Sequence, residues 1–116
     1  MSGKLTTHVL DTSIGRPAAG MRVQLFGIGV GDSARTLIKE AFTNEDGRLD
    51  APLVEGDLLA EGTYELLFGV GDYFRGNAHA FFLSQVPIRF EVSEPSSHYH
   101  VPLLVSPGGY STYRGS

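Results

Sequence analysis

The chain has 116 residues, 41% of them hydrophobic, and a formal net charge of −4. That length suits one domain over residues 1–116, large enough to bury a core without staples. The absence of cysteine removes disulfides, thiolate metal sites and cysteine nucleophiles, and nine scattered basic residues leave no electrostatic footprint for nucleic acid.

In chain order, runs of β-branched and aromatic residues predict strands at about 4–11, 21–30, 35–43, 48–53, 62–70, 86–93, 98–105 and 109–115. Fifteen glycines and six prolines punctuate them. The turns fall at Gly15-Arg16-Pro17, Gly29 to Ser33, Asn44-Glu45-Asp46-Gly47 and Pro95-Ser96-Ser97. The one helix expected is short, over Asp72 to Ala80, and Gly76 weakens it. Many short strands with few helical residues predict an all-β sandwich or barrel. The final strand is expected to run through Tyr113, Arg114 and Gly115 to Ser116. No apolar run reaches the roughly 18 residues of a membrane span. No secretion signal and no Ser-Lys-Leu ending is visible, so the expected compartment is the cytoplasm.

Period-2 alternation sorts side chains by face. Leu5, Thr7 and Val9 share one face of the first strand, and Tyr99, Val101, Leu103 and Val105 share one face of the seventh. These are the expected core faces. His8, His98 and His100 then point away from the core, and Arg48 does the same if Leu49 points inward. Periodicity does not say whether these strands are neighbours. Tyr110 and Tyr113 fall on opposite faces of the last strand, so one of them is expected in the core.

Most exposed histidines are merely solvated. His98 and His100, however, stand at i and i+2, about 6.6 Å apart on one face, so both can meet one ligand or one metal ion. His8 would supply the third ligand of a zinc site. His79 reads as a surface residue. Arg48 follows Asp46-Gly47 in a turn; it is either a solvated turn residue or a planar fork for a carboxylate or carbonyl. Ser116 brings a hydroxyl to the end of the last strand.

Together Leu5-Thr6-Thr7-His8-Val9-Leu10-Asp11, Gly15-Arg16-Pro17-Ala18, Thr43 to Arg48, His98-Tyr99-His100-Val101-Pro102-Leu103-Leu104 and Tyr113-Arg114-Gly115-Ser116 resemble, over nearly the whole chain, the 5-hydroxyisourate hydrolase branch of the transthyretin-related family. The resemblance implies a transthyretin-like sandwich of two four-stranded sheets with one short helix. It implies a homotetramer with sites in a channel between dimers, and a hydrolase of urate breakdown that needs no cofactor or metal. It assigns His8, Arg48, His100 and Ser116 to catalysis and Tyr113 to the channel lining, where it would meet the substrate, 5-hydroxyisourate; His98, beside His100, is expected to bind the substrate on its position alone. The hormone-carrier branch has lysine, glutamate, threonine and threonine at the positions of His8, Arg48, His100 and Tyr113. Two other readings stay open at this point: a carrier of a small aromatic ligand, and a zinc-dependent hydrolase using His8, His98 and His100.

Overall fold

A computed structural model describes residues 3–29 and 34–116, which form two facing sheets and one helix. In the first sheet, β1 (Lys4–Asp11) lies beside β8 (His98–Ser106), and β8 pairs with β9 (Gly109–Thr112). Two short strands, β2 (Arg16–Pro17) and β5 (Val54–Glu55), flank the other edge of β1 at its two ends, giving this sheet five members. The second sheet has the order β4 (Arg35–Phe42), β3 (Arg22–Ile28), β6 (Gly62–Phe68), β7 (Val86–Val92). Helix α1 (Val70–Gly76) follows β6. No helix among the described residues is long and apolar enough to cross a membrane.

The core lies between the sheets, and the alternation read from the sequence builds it. Leu5, Val9, Leu103 and Val105 are fully buried from one side, and Val23, Leu25, Leu66 and Phe68 from the other. Each such side chain contributes roughly 1.5–3 kcal/mol by leaving water. Val70 and Phe74, one helical turn apart, carry α1 into this core. The buried Asp11 ties the helix to β1: its carboxylate accepts the Tyr73 hydroxyl at 2.7 Å and the Ser13 amide at 3.0 Å.

β1 and β8 run parallel, the one parallel pairing among the described strands, with Lys4 opposite His98, Thr6 opposite His100 and His8 opposite Pro102. This register answers what periodicity left open. The polar, outward faces of the two strands are continuous, and Thr6, His8, His98 and His100 share one surface.

Four boundaries differ from the sequence reading. The strand expected at 48–53 does not form: Arg48 makes an isolated bridge with His8, and the chain leaves β1 until the Leu53 amide bonds to the Leu5 carbonyl at 2.9 Å. Pro52 has no amide to give to a ladder, which favours this departure. The helix starts earlier than expected, at Val70, because burial of Val70 and Phe74 outweighs local propensity. It stops at Gly76, where the Asn77 side chain bonds back to the Tyr73 carbonyl. The last strand ends at Thr112, and Gly115 rejoins the sheet only through a bridge to His100. Neither Tyr110 nor Tyr113 is in the core; they are 48% and 60% exposed, because β9 is an edge strand that no other described strand flanks, and Tyr113 lies just past its end. The turn expected over Gly29 to Ser33 lies largely outside the described residues.

Candidate active site

The segment that leaves β1 between Arg48 and Leu53 opens a cleft of about 420 Å³ over the outward face of the sheet. Thr6, Arg48, His98, His100 and Ser116 line it, with Lys4 at one side and Asp50, Ala51 and Pro52 opposite. The missing stretch of strand is therefore what makes room for a ligand.

Arg48 is placed by its turn. Asn44 Oδ1 accepts the amides of Asp46 at 2.9 Å and Arg48 at 3.1 Å, and the Asn44 amide bonds to the Arg48 carbonyl at 2.7 Å. Gly47 takes φ +74°, and its carbonyl accepts the Val9 amide at 2.8 Å. The turn thus closes against β1 and sets Arg48 beside His8. The His8 ring donates from Nε2 to the Asp46 carbonyl at 3.0 Å, which fixes its tautomer and leaves Nδ1 as the acceptor.

His100 is half-buried, and its Nδ1 lies 2.8 Å from Thr6 Oγ1. Nε2 is then the nitrogen free for a ligand. Burial above all, then the charges of Arg48, His98 and His8, hold its pKa below the ordinary 6.5. Burial and Arg48 lower His8 in the same direction. Both rings are therefore neutral near pH 7 and able to accept a proton.

Ser116 reaches the cleft because the segment before it is tied down twice. The Arg114 guanidinium stacks 4.2 Å from the centre of the Tyr99 ring, and the Gly115 amide bonds to the His100 carbonyl at 2.7 Å. A Cβ on Gly115 would meet His100 Cδ2 at 2.6 Å, so only glycine lets the backbone pass this close to the imidazole.

Of the six residues singled out from sequence, His100, His98, Arg48 and Ser116 line one cleft, and His8 adjoins it through Arg48. Tyr113 does not join them: it lines a separate groove of about 310 Å³ with Ile88, Phe90 and Arg114, toward the edge between the sheets. His79 is exposed, as expected, and edge-on to Phe74. Sequence reasoning missed Thr6, whose hydroxyl lies 2.7 Å from His98 Nε2 as well as 2.8 Å from His100 Nδ1. Nothing local marks it, since only the β1–β8 register brings it between two histidines. Among the described residues no three His, Asp or Glu side chains converge as a metal site requires, so the zinc reading is not favoured.

A cleft that joins a guanidinium, a neutral imidazole and a hydroxyl suits hydrolysis of a planar substrate rich in carbonyls. Known proteins agree. Residues 5–115 match the family model described as the HIUase/Transthyretin family. A protein of Halalkalibacterium halodurans named 5-hydroxyisourate hydrolase is 58% identical, with 100% of both chains covered. The solved structure of Klebsiella pneumoniae 5-hydroxyisourate hydrolase superposes with a TM-score of 0.85 at 35% identity, covering 98% of this chain and 99% of the other. Sea bream transthyretin in complex with thyroxine shares the fold, with a TM-score of 0.88 at 24% identity over 97% of this chain and 94% of the other.

Proposed function

As this chain belongs to the HIUase/transthyretin family, we propose that it hydrolyses 5-hydroxyisourate to 2-oxo-4-hydroxy-4-carboxy-5-ureidoimidazoline, with His8, Arg48, His100 and Ser116 as its catalytic set. The observation that carries this reading is the convergence of a neutral imidazole, a guanidinium and a serine hydroxyl on one cleft. His100 Nε2 takes a proton from water as the oxygen attacks the ring carbonyl. Arg48 holds the carbonyl oxygen and steadies the developing negative charge. The proton returns to the nitrogen that leaves. His8, fixed on the Asp46 carbonyl beside Arg48, orients the substrate or shares proton return, and Ser116 positions the water.

The carrier reading uses the same surface without chemistry. The two histidines and the arginine count against it, since neither a proton acceptor nor an oxyanion partner is needed to hold a flat aromatic ring. Assembly as a homotetramer follows the same family reading. Half-buried Leu10 and Leu104 on the outward face are apolar surface that a second dimer would cover, turning the cleft into one wall of a channel. A sedimentation mass below four chains would remove that channel. In such an assembly Tyr113 would have to reach the substrate from beyond its own cleft.

The deciding assay follows 5-hydroxyisourate, made in place from urate by urate oxidase, through its absorbance decay. Fast decay that persists in EDTA is expected. Decay no faster with the protein than without it would overturn the hydrolase reading and leave the carrier.

A further inference from the structure

Thr6 Oγ1 stands between two imidazoles, 2.7 Å from His98 Nε2 and 2.8 Å from His100 Nδ1. A hydroxyl has one proton and two lone pairs, so Thr6 can donate to one ring while accepting from the other. The two rings differ in exposure: His100 is half-buried and His98 is exposed. A chain of two hydrogen bonds therefore joins the half-buried imidazole of the cleft to the exposed one at its rim.

We propose that His100 Nδ1, Thr6 Oγ1 and His98 Nε2 form the proton exit of the hydrolysis, a role for Thr6 and His98 that rests on the function proposed above. The stoichiometry requires an exit. Water oxygen bonds to the carbonyl carbon, the carbon–nitrogen bond breaks, and the nitrogen takes one proton to become a ureido group. The other proton stays with the new carboxylic acid, which ionises near neutrality because its pKa lies far below 7. A ureido nitrogen is too weakly basic to hold that proton. One proton per turnover must therefore leave the site.

While substrate or product covers His100 Nε2, the exposed His98 at the far end of the chain keeps contact with water. His100 takes the proton at Nε2 and gives its Nδ1 proton to Thr6. Thr6 passes its own proton to His98 Nε2, and His98 releases one from Nδ1 to water. When product leaves, cleft water removes the Nε2 proton of His100, His98 regains one at Nδ1, and the chain returns to its first polarity. The fixed charge of Arg48 faces His100 and opposes a charge stored there. A proton taken by His100 is thus driven outward.

Turnover measured at fixed pH and ionic strength against increasing imidazole buffer tests the relay. Wild type is expected to be fast and independent of buffer. Thr6→Val, which keeps the shape and removes the hydroxyl, is expected to be slower by up to about a hundredfold at low buffer, the lower end of what positioned proton transfer contributes. High imidazole should restore it, and Thr6→Ser should stay close to wild type. His98→Gln changes an exposed side chain, keeps the fold, and should show the same loss and the same rescue. Thr6→Val at the wild-type rate, or a loss that imidazole leaves untouched, would overturn the relay while the hydrolase reading stands. A wild type without turnover would overturn both.

Discussion

His100→Asn is expected to lower turnover of 5-hydroxyisourate at least ~100-fold with the fold intact. Asparagine keeps a polar group near the position of Nδ1, so the hydrogen bond with Thr6 has a replacement and no buried donor is stranded. It lacks an Nε2 and so cannot take a proton in the cleft. The thermal midpoint should therefore move little while kcat falls. The pH profile supplies a second reading. Because burial and the charges around it lower the His100 pKa, wild-type activity should hold as pH falls to 6.5 and decline only below it, as the ring becomes protonated. The same direction applies to stability: His8 and His100 are both lowered, so the unfolded chain takes up protons first and stability drops as pH falls below about 6.5. In His100→Asn the residual rate should lose the acid limb that His100 imposes. Turnover near that of wild type would remove His100 from the chemistry.

What the sequence made legible was whatever repeats along one strand. The alternation of Leu5, Thr7 and Val9 and of Tyr99, Val101, Leu103 and Val105 identified both core faces, and so placed His8, His98 and His100 outward. What it left dark depends on pairing between distant segments. Thr6 is an ordinary strand residue until the parallel register of β1 and β8 puts it between two histidines. The stretch 48–53 has a strand's alternation in Leu49, Ala51 and Leu53, yet it leaves the sheet around Pro52, and the cleft exists because it does. Tyr110 and Tyr113 alternate as a core-and-surface pair should, but at the sheet edge no second layer among the described residues buries either. The segment from Tyr113 to Ser116 carries the family resemblance in its sequence; that Arg114 holds it by stacking on Tyr99 is a tertiary fact with no local signal.

Gly47→Ala tests whether the turn is what gives Arg48 its function. Two separate penalties meet at this position. The backbone has φ +74°, a left-handed conformation that costs a residue with a side chain roughly 1–2 kcal/mol. A Cβ there would also lie 2.3 Å from the Val9 carbonyl oxygen, a main-chain atom of β1 that cannot move aside alone. The turn has to back away, which weakens the bond from the Val9 amide to the Gly47 carbonyl and pulls Arg48 off His8. Losing that bond adds about 1 kcal/mol. The sum, on the order of 3 kcal/mol, corresponds to a fall of roughly 10 °C in thermal midpoint for a chain of this size. Turnover should fall further than stability explains, by at least about tenfold at temperatures where the variant is folded, because a displaced Arg48 no longer meets the developing charge. Gly20→Ala is the control. Gly20 has φ +77° with no atom near its Cβ position, so it bears the left-handed cost without the close approach. If Gly47→Ala loses no more activity than Gly20→Ala, the turn is only a connection, and Arg48 reaches its place by some other constraint.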